Sequence, residues 1–196
     1  MLVVVGGHSR NIGKTSVVCG IIRATPELDW TAIKITQYGH HVCSKGGEPC
    51  ECADPRHPVA VSQETGEAPD TDSGRFLAAG ARRAFWVRTP GGHLGAALPR
   101  LRQILGLAPN VIVESNSLLQ FLKPDFCCMV VDGSVQDFKA SSQRFLDRAD
   151  ALVATSDSPL TWPGVPASVI AALPRFDAPA PGYKNPALVN KILATP

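Results

Sequence analysis

Several absences narrow what this sequence can do. No apolar run in its 196 residues approaches the roughly 20 needed to span a membrane. Charge of one sign is not in excess: 19 Lys and Arg stand against 17 Asp and Glu, a formal net charge of +2. So small and evenly spread a charge argues against a nucleic-acid or membrane partner. The opening Met1-Leu2-Val3-Val4-Val5 runs straight into glycines, without the basic stretch that starts a secretory signal. A cytoplasmic location is the expectation. Internal repeats and low-complexity tracts are also missing.

What is present reads as one domain over 1–196, with 44% hydrophobic residues and 18% charged. Short β-branched runs alternate with helical patterns, the mark of a mostly parallel α/β sheet flanked by helices. Strands are expected at Leu2–Val5, Trp30–Thr36, Ala84–Arg88, Asn110–Glu114, Phe126–Val131 and Ala151–Ala154, with one more at Ser168–Ala172. Helices are expected at Lys14–Ala24, Leu94–Leu105, Ser141–Ala149 and from Pro186 to Ala194; Pro99 predicts a late start or a kink in the second. The proline-rich stretch 174–182 reads as a surface crossing. Residues 37–69 break the alternation and read as a long loop insertion.

Between the first strand and the first helix lies Gly7-His8-Ser9-Arg10-Asn11-Ile12-Gly13-Lys14-Thr15, followed by Ser16. Its second half fits the phosphate-binding pattern G-x-x-x-x-G-K-[ST], but His8 stands at the first glycine position with Gly6 and Gly7 just before it, so the loop is either one residue longer or opens on a non-glycine residue. Backbone N–H groups and the dipole at a helix start favour an anion there. In such a loop Lys14 neutralises the β- and γ-phosphates and the Thr15 hydroxyl ligates Mg²⁺. The metal also needs a carboxylate from a neighbouring strand end. Glu114 ends the Val-Ile-Val strand and is the first choice, with Asp132 the alternative. In Asp70-Thr71-Asp72-Ser73-Gly74-Arg75, Asp72 or Ser73 can cap a helix running through Ala81; Asp70 and Asp72 together with Arg75 can equally contact Mg²⁺ or a substrate phosphate.

Of six cysteines, Cys19, Cys127 and Cys128 fall in predicted core elements. His40, Cys43, Cys50 and Cys52 crowd into the 37–69 segment. Thiolates with an imidazole suit Zn²⁺, and soft ligands also serve an iron–sulfur cluster. The spacing matches neither paired C-x2-C motifs nor a ferredoxin pattern.

Taken in order, the phosphate loop, the strand near Lys34 with histidines after it, Asp72-Ser73-Gly74-Arg75-Phe76-Leu77-Ala78-Ala79-Gly80-Ala81 and the Val-Ile-Val-Glu strand resemble the molybdopterin-guanine dinucleotide biosynthesis protein B (MobB) family. These are GTP-binding proteins of the SIMIBI class of P-loop NTPases. The resemblance covers roughly the first 120 residues. It implies a mostly parallel sheet, Mg²⁺-dependent hydrolysis and a homodimer. It carries phosphate binding onto Gly13, Lys14 and Thr15 and metal support onto Glu114. The cysteine loop and the displaced glycine depart from that family's pattern.

An Asn-Lys-x-Asp guanine reader is missing; Asp157, after the Ala151–Ala154 strand, occupies the comparable place. The expected function is an NTPase, GTPase before ATPase, assisting cofactor or metallocentre maturation with a biosynthetic or metalloenzyme partner. Lys14, Glu114 and Asp72 are its expected catalytic groups. The alternatives are an ATP-dependent small-molecule kinase or ligase resembling dethiobiotin synthetase, and a nucleotide-regulated metallochaperone.

Overall fold

The computed structural model describes residues 1–38, 59–66 and 70–195. Among them eight strands share one sheet: β1 (Leu2–Gly7), β2 (Thr31–Tyr38), β3 (Ala60–Gln63), β4 (Arg83–Pro90), β5 (Val111–Glu114), β6 (Phe126–Val131), β7 (Ala151–Ala154) and β8 (Arg175–Asp177). Their order is β3-β4-β2-β5-β1-β6-β7-β8, and only β3 runs antiparallel to its neighbour. The helices are α1 (Lys14–Ala24), α2 (Asp72–Ala78), α3 (Leu98–Gly106), α4 (Ala140–Gln143), α5 (Ala167–Ala171) and α6 (Pro186–Leu193).

Side chains alternate across β1 to two separate cores. Val3 and Val5 pack with Val17, Val18, Ile21 and Ile22 of α1 and with Leu188 and Ile192 of α6. Val4 points the other way, to Leu101 and Ile104 of α3. Burial on both faces explains why β1, β5 and β6 read as continuous apolar runs. Cys127 and Cys128 alternate likewise, and burial pushes the Cys127 thiol up to about 12 and Cys128 upward also. They and buried Cys19 are core residues.

Four expectations need correction. The helix expected over Ser141–Ala149 is a single turn, α4, followed by a 3₁₀ turn at Leu146–Arg148. Ser168–Ala172 is not a strand but mostly helix α5; Val169, Ile170 and Leu173 fall on one helical face and pack together against a third apolar cluster. The stretch 174–182 is not only a crossing, since Arg175–Asp177 pairs with β7 as an edge strand. Within 37–69, Ala60–Gln63 adds an antiparallel edge to β4, with Val61 opposite Val87. Pro99 sits in the first turn of α3, where its missing N–H costs nothing; a 3₁₀ turn, Leu94–Ala97, precedes it. His40, Cys43, Cys50 and Cys52 lie outside the described residues.

Candidate functional site

The site forms where β1, β2 and β5 deliver their carboxyl ends beside the start of α1. Gly13 ends the loop at φ 89°, a left-handed conformation costly for any residue with a Cβ. Gly7 is required by contact, because a Cβ there would lie 2.5 Å from the Lys14 side chain passing over it. Asn11 takes φ 55°, which asparagine tolerates. His8 has no positive φ, so its backbone makes no demand for the glycine of the consensus. Its fully buried ring instead packs against both Phe138 and Trp162, with centroids 5.2 and 4.9 Å away, and those two rings also meet each other edge-on at 5.1 Å. His8 Nε2 lies 3.0 Å from the Val135 carbonyl, and burial lowers its pKa.

Lys14 Nζ donates to the Ser9 carbonyl at 2.5 Å, and burial draws its pKa down to about 8. The Thr15 hydroxyl donates to Glu114 Oε2 at 2.8 Å, and Glu114 is 2% exposed. Opposite Glu114 in the β2–β5 register stands Lys34, whose Nζ reaches Glu114 Oε1 at 2.5 Å and Asp72 Oδ2 at 2.7 Å. Burial works against the Lys34 ammonium, but Glu114 and Asp72 outweigh it and its pKa rises. Burial likewise opposes the Asp72 charge, and Lys34 reverses that.

Helix α2 brings Asp72 here. The Thr71 hydroxyl caps it by accepting from Gly74 N at 3.0 Å, and Arg75 Nη2 donates to Ser16 Oγ at 2.9 Å, tying α2 to α1. Thr71→Ala is expected to cost about 1 kcal/mol of stability by loss of this cap, checked by urea unfolding.

The arrangement brings Gly7, Gly13, Lys14, Thr15, Ser16, Glu114 and Asp72 together. Ile12 is buried, and its carbonyl lies 3.0 Å from the Thr155 hydroxyl just after β7. Arg10 and Asp157 are exposed, Arg10 within the loop and Asp157 two residues beyond Thr155. Tyr183 packs against Gly13 on this side. Asp132 turns elsewhere, its Oδ1 accepting from Ser134 Oγ at 2.6 Å and Ser156 Oγ at 2.7 Å.

Sequence reasoning missed Asn116, Ser142 and Lys139. Asn116 clamps the Gly7 peptide from both sides, accepting from its N–H at 2.8 Å and donating to its carbonyl at 2.9 Å. Ser142 Oγ donates to the Gly7 carbonyl at 2.7 Å, and Lys139 N to the His8 carbonyl at 2.9 Å. The Lys139 side chain feels Arg10 and Lys34 as like charges, which, after burial, lower its pKa. Only the polar Ser115-Asn116-Ser117 run behind Glu114 hinted at any of this.

A cavity of about 310 Å³ opens beyond the ends of β2 and β5, lined by Gln37, Gly92, Ser117, Phe121 and Arg144 among others. Among the described residues no group of three or more His, Cys, Asp or Glu is disposed to hold a metal, and no helix is long and apolar enough to cross a membrane.

Neither a protein-family model nor a curated protein sequence matches the chain. Solved structures do. HypB from Helicobacter pylori, in complex with nickel, is similar over 97% of this chain and 85% of its own, at 12% identity and a TM-score of 0.55. MobB from Bacillus subtilis aligns over 99% of this chain and 96% of its own, at 18% identity and a TM-score of 0.40. The fold is the one seen in that HypB structure: a mostly parallel sheet flanked by helices, here with the glycine-rich loop between β1 and α1.

Proposed function

We propose that this protein binds and hydrolyses a nucleoside triphosphate with Mg²⁺, taking GTP in preference to ATP. One observation carries the reading: Lys14, Thr15 and Glu114 meet at the free N-terminus of α1, with the Thr15 hydroxyl 2.8 Å from Glu114. Thr15 and Glu114 offer hard oxygen donors, which suit Mg²⁺, a cation that takes few protein ligands and completes its shell with phosphate and water. The metal, when bound, neutralises charge on the β- and γ-phosphates. Lys14 holds the same phosphates, and the N–H groups at the start of α1 receive their oxygens.

Arg10, Lys34 and Lys139 add positive charge around the loop, matching a polyphosphate. Lys139→Ala is therefore expected to weaken triphosphate affinity about tenfold, read by titration with a fluorescent analogue. The preference for GTP rests on Asp157, exposed on the side of the loop where Thr155 touches it. Phosphate release from GTP and from ATP, each with Mg²⁺ and with EDTA, tests the reading. Metal-dependent turnover favouring GTP is expected, and absence of saturable binding by either nucleotide overturns it.

The role in cofactor or metallocentre maturation rests on the crowding of His40, Cys43, Cys50 and Cys52 into thirteen residues. Untagged protein is expected to carry Zn, or alternatively Fe; less than about a tenth of an equivalent of either removes this part. The cavity beside Gln37 and Arg144 favours a second reading, an ATP-dependent kinase or ligase acting on a small anionic molecule. Turnover that appears only when such a molecule is added distinguishes it.

A further inference from the structure

Among the described residues, Lys34 is the one cation that touches both acids of the site. Strand pairing sets it directly opposite Glu114, and α2 brings Asp72 to its other side. Its side chain is 17% exposed and that of Glu114 is 3%. These carboxylates, with the Thr15 hydroxyl on Glu114 Oε2, are the oxygens nearest the place where a P-loop site holds its divalent cation. We propose that Lys34 is the resident counter-ion of these oxygens, so that a divalent cation enters only in company with a triphosphate. The inference rests on the Mg²⁺-nucleotide reading and adds a condition to it.

The argument is one of charge balance. Lys14 and Lys34 offset Glu114 and Asp72 in a cluster that is buried at Lys34 and Glu114 and opens to solvent at Asp72. A divalent cation arriving alone faces two ammonium groups and competes with Lys34 for its ligands. Like charges at such distances disfavour its binding strongly. Arriving with a triphosphate, the metal brings net negative charge with it. Lys34 then leaves the carboxylates to the metal and regains a partner in the phosphate oxygens. A lysine serves this exchange better than an arginine, because its ammonium is a compact point charge on a flexible stem. Lys34 is thus a positioning residue for the metal.

Mn²⁺ titration followed by electron paramagnetic resonance, without nucleotide, tests this on the full chain. Lys34→Met is expected to bind Mn²⁺ about tenfold to a hundredfold more tightly than the unaltered protein. Lys34→Arg, which keeps the charge, is expected to stay as weak as the parent. Equal Mn²⁺ affinity of the parent and Lys34→Met overturns the proposal, as does tight binding by Lys34→Arg. Should Lys34→Met not fold, Lys34→Gln, which retains a donor toward the carboxylates, takes its place with the same two outcomes. A fluorescent triphosphate titration of the parent runs alongside. Loss of saturable nucleotide binding there refutes the NTPase reading, while intact binding with unchanged Mn²⁺ affinity in the variant refutes only the role of Lys34.

Discussion

Lys14→Ala is expected to weaken triphosphate binding by about a hundredfold or more while leaving the fold intact, as measured by nucleotide titration and by thermal melting. The asymmetry follows from where the side chain spends its contacts. Its stem lies across Gly7, and its ammonium rests on the Ser9 carbonyl, a neutral acceptor five residues away. Neither contact joins distant parts of the molecule, so their loss costs little. The same ammonium is the group that a phosphate loop places against the β- and γ-oxygens. It is held with its charge poorly solvated, which strengthens any interaction with an anion. Unchanged affinity in this variant would remove the phosphate-loop assignment itself.

Glu114→Ala is expected to do the opposite, costing about 3 kcal/mol of stability as well as metal-dependent turnover. Glu114 receives the Lys34 ammonium on one oxygen and the Thr15 hydroxyl on the other, and is almost wholly buried. Its removal leaves Lys34 with Asp72 alone, and the Asp72 side chain is 44% exposed and shared with Arg75. Breaking a buried pair from one side strands the remaining charge, which is why the cost exceeds that of a surface ion pair. Chemical denaturation measures it, and a double-mutant cycle with Lys34→Met apportions it. In that cycle the second change should recover part of the loss. A cost below about 1 kcal/mol would mean that water, not Glu114, balances Lys34.

The elements that sequence made legible are those whose signals are local. Burial on both sheet faces writes β1, β5 and β6 as apolar runs, and Gly13-Lys14-Thr15 marks the turn into α1. Glu114 was visible because a carboxylate at the end of such a run is unusual. The edge strands β3 and β8 are not: at four and three residues, and partly exposed, they are too short to establish a period. Ser168–Ala172 reads as a strand because it is short and centred on β-branched Val169 and Ile170, and only packing against Trp162 and its neighbours distinguishes helix from strand. Within the site, Lys34, Asn116, Ser142 and Lys139 depend on contacts between residues far apart in the chain. Lys34 meets Glu114 across 80 positions, and Ser142 meets Gly7 across 135. Local pattern carries no trace of such pairings.

The substitution of histidine for the first glycine of the loop has a thermodynamic consequence. The His8 ring is packed into a three-ring cluster with Phe138 and Trp162, while its carbonyl is held by Lys139 N and its neighbour's by Asn116 and Ser142. A glycine in that place would leave the loop entry free to sample many backbone conformations, all of which a ligand must freeze out. Anchored in this way, the entry has already lost that freedom when the chain folds. The ordering cost has moved from the binding step to the folding step, so ligand affinity is relieved of it and the aromatic slot beneath the loop carries it instead.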